Sequence, residues 1–95
     1  MIVKDKTLLG KFRRATACEW CGRRRPCDPH HLWPRGLGGG RRLDVPANLI
    51  ALCRSCHDDA HAGRIRRNDL VAIVARREGM RQQQIKVLVE RLRQV

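Results

Sequence analysis

The apolar residues of this chain are grouped by spacing. Near the C-terminus, Ile85, Leu88, Leu92 and Val95 recur every three or four positions, which predicts a helix over about 82–94 with a single apolar stripe. Just upstream, Asn68 can cap a helix over 69–78 that Gly79 breaks. Leu49-Ile50-Ala51-Leu52 has another rhythm: an unbroken apolar run behind a turn marked by Pro46 and Asn48. It predicts a short buried strand, followed by a helix over 53–62 that Gly63 stops at its C′ position. At the other end, 7–16 can form a short basic helix with Thr7 as N-cap and Leu8, Leu9 and Phe12 on one side.

Between these elements the prolines decide. Pro26, Pro29 and Pro34 disfavour helix, so 26–33 should be extended. Arg23 to Arg25 reads as an exposed loop, and 35–42, with glycines at 36, 38, 39 and 40 among basic residues, as another. The sum is a small α+β domain covering 1–95, with flanking helices around a short extended core. A chain of 95 residues buries little apolar surface and needs a staple. No apolar run approaches about 20 residues and nothing resembles a signal peptide, so no membrane partner and a cytoplasmic location are expected.

Charge names a partner. There are 21 Lys and Arg against 9 Asp and Glu, a formal charge of +12, and 17 of the basic residues are Arg. They run from Lys4 to Arg93 instead of forming one tail. A broad polycationic surface rich in planar guanidinium forks fits phosphate, so nucleic acid is the expected ligand.

The staple is visible in the cysteines. Cys18/Cys21 and Cys53/Cys56 are Cys-x-x-Cys pairs, each able to give two ligands to one tetrahedral zinc. In an unexported chain such pairs suggest metal thiolates, not disulfides. Residues 22–52 make a longer interval than the usual zinc-ribbon separation of about 15–20, as if a functional element were threaded through a zinc clamp. Cys27 is the odd thiol, expected to be reduced and partly buried, and Trp20 and Trp33 are expected to pack over the knuckle at Cys18–Gly22.

The insert carries chemistry. His57 and His61 lie four apart and share a helix face. His30 and His31 are neighbours on an extended segment and point to opposite faces. One of them can join His57 and His61 at a metal while the other points toward a substrate. Three imidazoles leave coordination positions open, as a catalytic site requires.

Taken together, Cys18-x-x-Cys21, His30-His31, Asn48-Leu49-Ile50-x-Leu52-Cys53-x-x-Cys56-His57 and His61 resemble the HNH endonucleases and their ββα-metal fold, over about 18–63. The resemblance is closest to compact phage or prophage members with a zinc clamp, leaving 64–95 as a helical extension. It implies that His30 and His57 are metal ligands with His61 as the third, that His31 is the general base, and that the Asn48 amide pins the loop between the strands. Many relatives carry Asp where His30 stands and lack a histidine at His61; the all-imidazole set resembles the colicin-type nucleases. The activity that the resemblance implies is hydrolysis of double-stranded DNA by a one-metal mechanism, leaving 5′-phosphate and 3′-hydroxyl ends. Arg35, Arg41 and Arg42 are candidate phosphate clamps. Zn²⁺ is expected in the clamp, and Mg²⁺, Mn²⁺, Ni²⁺, Co²⁺ or Zn²⁺ at the histidines.

Two other readings share these residues. A zinc-stabilised nucleic-acid-binding module has no use for His31, and a component of a phage DNA-packaging assembly would express nuclease activity only with its packaging partners. Val71 to Glu90 also has the outline of a helix-turn-helix, with Gly79 at the turn, Ile85 and Leu88 facing the first helix, and Gln82 to Gln84 starting the second.

Overall fold

The computed structural model describes residues 3–34 and 43–94. Its elements are α1 (Lys6–Arg13), β1 (Cys27–His31), a 3₁₀ turn (Pro46–Asn48), β2 (Leu49–Cys53), α2 (Arg54–His61), α3 (Arg67–Glu78) and α4 (Gln82–Gln94). β1 and β2 form one antiparallel pair with Cys27 opposite Cys53, Pro29 opposite Ala51 and His31 opposite Leu49. With α2 behind it, this hairpin is the expected ββα core.

Every residue of β2 is buried, which is why the run is apolar without alternation: β1 borders it while α2 and α3 both pack against it. Pro29 survives in β1 because its missing N–H faces nothing that needs it. Its partner Ala51 turns both backbone groups outward, its N–H donating to Glu19 Oε2 at 2.7 Å and its carbonyl accepting from Glu19 N–H at 2.9 Å. The knuckle is thereby laid along the outer edge of β2.

The core is almost wholly aliphatic, with Leu43, Leu49, Ile50, Leu52, Leu70, Val71, Val74, Ile85 and Val89 under 2 % exposed. α3 and α4 contact each other and the 3₁₀ turn, and α3 also reaches β2, so the extension covers the motif. Arg77 of α3 ties the layers together. Its guanidinium donates to both Glu19 carboxylate oxygens at 2.9 Å and to the carbonyls of Pro46 and Leu49 at 2.6 and 2.9 Å. It also lies 5.2 Å from the centre of the Phe12 ring of α1.

Several boundaries differ from expectation. α1 is capped by Asp5, whose carboxylate accepts from Leu8 N–H at 2.9 Å, and ends at Arg13 instead of reaching 16. Asp5 wins over Thr7 for a tertiary reason, because its own N–H is anchored on the buried carboxylate of Asp44 at 2.9 Å. Cys53 closes β2 before α2 begins. α3 starts at Arg67 with Arg66 at the cap and no side-chain bond there; Asn68 sits inside the first turn and does not cap it. In α4, Ile85 and Val89 face the core while Leu88 is exposed, so the packed stripe runs i, i+4, not i, i+3. That places Leu88 outside the α3–α4 contact a helix-turn-helix would use it for. Val95 lies outside the described residues. Glycines 63 and 79 do end their helices, at φ 80° and 67°. Among the described residues no helix is long and apolar enough to cross a membrane.

Candidate metal centre

Two clusters occupy opposite parts of the hairpin. At the Cys27–Cys53 end, the thiols of Cys18, Cys21, Cys53 and Cys56 lie within 4.8 Å of one another. Local sequence explains the convergence. The knuckle closes on itself through Cys18 N–H to Arg23 O at 3.0 Å and Gly22 N–H to Cys18 O at 2.9 Å, with Gly22 at φ 75°. Cys53 ends β2, and Cys56 is placed one turn into α2. Tetrahedral sulfurs about 2.3 Å from zinc stand about 3.8 Å apart, and Cys21 Sγ and Cys53 Sγ are separated by 3.9 Å. The donor set therefore fits zinc. Burial pushes the Cys18 thiol up, but N–H groups of Cys21, Cys53 and Trp20 outweigh it and bring it down to about 7, toward the thiolate a metal needs. Cys56 is pushed up by burial and by its thiol neighbours, the direction that a bound cation would reverse.

Cys27 stands outside the four-thiol cluster. It is buried, its thiol donates to Arg25 O at 3.3 Å, and burial raises its pKa. The tryptophans do not seal the knuckle: Trp20 is 40 % exposed, and Trp33 lies beyond the far end of β1, beneath the guanidinium of Arg67 at 5.4 Å.

The second cluster is imidazole. His30 comes from β1, and His57 and His61 from one face of α2; their ring nitrogens also lie within 4.8 Å of one another. His57 Nε2 and His61 Nε2 are 3.0 Å apart, and His30 meets each of the other rings edge-on at 5.1 Å between centres. Imidazole nitrogens about 2.0–2.1 Å from a shared metal stand roughly 3 Å apart, so this set too fits a divalent ion. Burial first, then the neighbouring His57 and His61, push His30 down to about 4. Burial and His61 also push His57 down. Both rings are thus neutral near pH 7, the form that binds metal. The three line a cavity of about 640 Å³ together with His31, Ile65, Arg66 and Arg67.

His31 is turned away from its neighbour, as strand alternation predicts. Its Nε2 is 2.7 Å from Oδ1 of Asp44, a side chain with no exposed surface. A buried carboxylate accepts, so Nε2 carries a proton and, in the neutral ring, the lone pair is on Nδ1. Asp44 is in turn held by Asp5 N–H on Oδ2 and by its own N–H to Val3 O at 2.8 Å. Asn48 is fully buried. Its amide oxygen accepts from Trp33 N–H at 2.9 Å, and its amide nitrogen donates to Trp33 O at 3.2 Å and Leu43 O at 3.0 Å. One side chain thereby ties together both ends of the 33–43 loop, next to His31 on one side and Asp44 on the other.

Residues 18–63 match the family model for HNH endonuclease. No curated protein and no solved structure matches the chain. The matched residues bring together every cysteine and histidine predicted as a ligand. Arg35, Arg41 and Arg42 lie outside the described residues. Asp44 was not among the residues the motifs single out; the available signal was its position as the only acidic residue between His31 and Asp58.

Proposed function

We propose that the protein is a metal-dependent DNA endonuclease in which His31 is the general base. The observation that carries this reading is the split of the adjacent pair. His30 joins His57 and His61 within ligand distance, while His31 turns to a buried carboxylate yet lines the same cavity. His30, His57 and His61 would hold the second metal. When bound, that ion supplies positive charge against the phosphate and the departing oxygen.

The chain's own residues do the rest. Asp44 holds Nε2–H, which fixes the tautomer and leaves Nδ1 of His31 to take a proton from water attacking phosphorus. The developing imidazolium is stabilised by the same carboxylate. Asn48 fixes the loop ends that carry this pair. The four thiols hold structural zinc and the hairpin geometry, and the formal charge of +12 attracts double-stranded DNA. A one-metal reaction of this kind leaves 5′-phosphate and 3′-hydroxyl ends. Plasmid cleavage with a panel of divalent metals, wild type beside His31→Ala, tests it. Metal-dependent nicking that falls by roughly 10²–10⁴ in the variant is the expected result. A wild type inert with every metal would leave a zinc-stabilised DNA-binding module.

A further inference from the structure

The histidine cavity has a second wall, built from residues past the end of the family match at residue 63. The chain folds back to make it. After Gly63, the N–H groups of Arg64 and Ile65 both reach Asp59 O, at 2.9 and 3.3 Å, and Ile65 is buried in the core. Arg64 is occupied, its guanidinium 3.1 Å from the Asp59 carboxylate. The next two residues, Arg66 and Arg67, are then delivered to the cavity that His57 and His61 line.

These two arginines are set apart by their place on the cavity wall. Arg54, Arg64 and Arg77 each pair with a carboxylate, whereas Arg66 and Arg67 have no such partner among the described residues. Arg67 is positioned by an aromatic face instead, 5.4 Å from the Trp33 ring centre. Stacking of that kind orients the guanidinium plane while leaving its N–H donors free for an anion. Two uncommitted forks on the wall of the three-imidazole cavity have the geometry that grips phosphate oxygens two at a time.

We propose that Arg66 and Arg67 bind the backbone phosphates of the DNA strand lying in the three-imidazole cavity, next to the phosphate to be cleaved. The identity of the anion rests on the nuclease reading; the binding experiment does not depend on cleavage. The 95-residue, zinc-loaded chain carrying His31→Ala is titrated into a fluorescent DNA duplex across a salt series. Adding Arg66→Gln and Arg67→Gln together should weaken binding roughly tenfold and lower the slope of log K against log salt by about 1.8, or about 0.9 for each single variant. The single variants decide the matter if the double loses its zinc or its helical signal. Arg23→Gln with Arg24→Gln, in the exposed knuckle loop, removes the same charge and should change both quantities less. Equal losses in the two doubles would reduce the pair to bulk charge and overturn the proposal, as would a parent chain that does not bind duplex. If the expected slopes appear but wild type cuts no plasmid with any metal, the phosphate wall stands and the nuclease reading falls.

Discussion

The two metal-ligand clusters of this hairpin use the same strands and helix to opposite ends. The thiol cluster is closed: four candidate ligands, three of them buried. The imidazole cluster has three candidate ligands and opens on about 640 Å³ of space. Full coordination plus burial makes a metal part of the fold, while an incomplete set facing a cavity leaves room for a reacting group. The same hairpin and helix carry both roles, with Cys56 and His57 adjacent on α2.

The largest break in this comparison should come from the closed end. Cys53→Ser should remove zinc and unfold the domain, because structural zinc contributes about 10–16 kcal/mol in small sites against a total stability of about 5–15. Circular dichroism and metal counting check it; a cooperative melt without zinc would refute the staple. At the open end His57→Ala should behave differently, losing the second metal and all cleavage while one zinc per chain and the helical signal remain. Two metals lost together would mean that the ends are not independent.

Smaller effects sharpen the assignment inside the open end. His31→Ala should lower cleavage by roughly 10²–10⁴ with both metals retained. Asp44→Asn, acting through His31, should lower it by roughly 10–100-fold. An Asp44→Asn protein as active as wild type would remove the carboxylate from the mechanism. The stabilising link from α3 to the knuckle is open to the same kind of test. Arg77→Gln should cost about 1–3 kcal/mol, since it strands the Leu49 carbonyl and takes the donor from Glu19 Oε1, read as a lower midpoint of denaturation with zinc still bound.

The mildest expectation concerns pH. His30 is held near 4 in the fold against an ordinary value of 6.5, so between those values the unfolded chain binds more protons than the folded one. Without the second metal, stability should therefore fall as pH drops from about 6.5 toward 4 and level off below. Denaturation of wild type and His30→Ala over that range measures it; an identical slope in the two would show that His30 does not titrate as its burial requires.

What the linear sequence determined was the chemistry and its spacing. Cys-x-x-Cys places two thiols in one turn, four residues put His57 and His61 on one helix face, and strand alternation sends His30 and His31 apart. These follow from local geometry with fixed periods, and the glycine helix stops follow from the left-handed backbone. Tertiary structure decided what depends on contacts distant in sequence. The choice of Asp5 over Thr7 as cap came from Asp44, 39 residues away. Val89 instead of Leu88 faces inward because the neighbours of α4, not its own period, set its rotation. Asp44 became the partner of His31 only when burial left it with few alternatives, and Arg77 the tie between α3 and the knuckle only when the fold brought Glu19 and the Pro46 and Leu49 carbonyls within its reach. No periodicity announces such pairs, since their partners come from distant parts of the chain and are chosen by the fold.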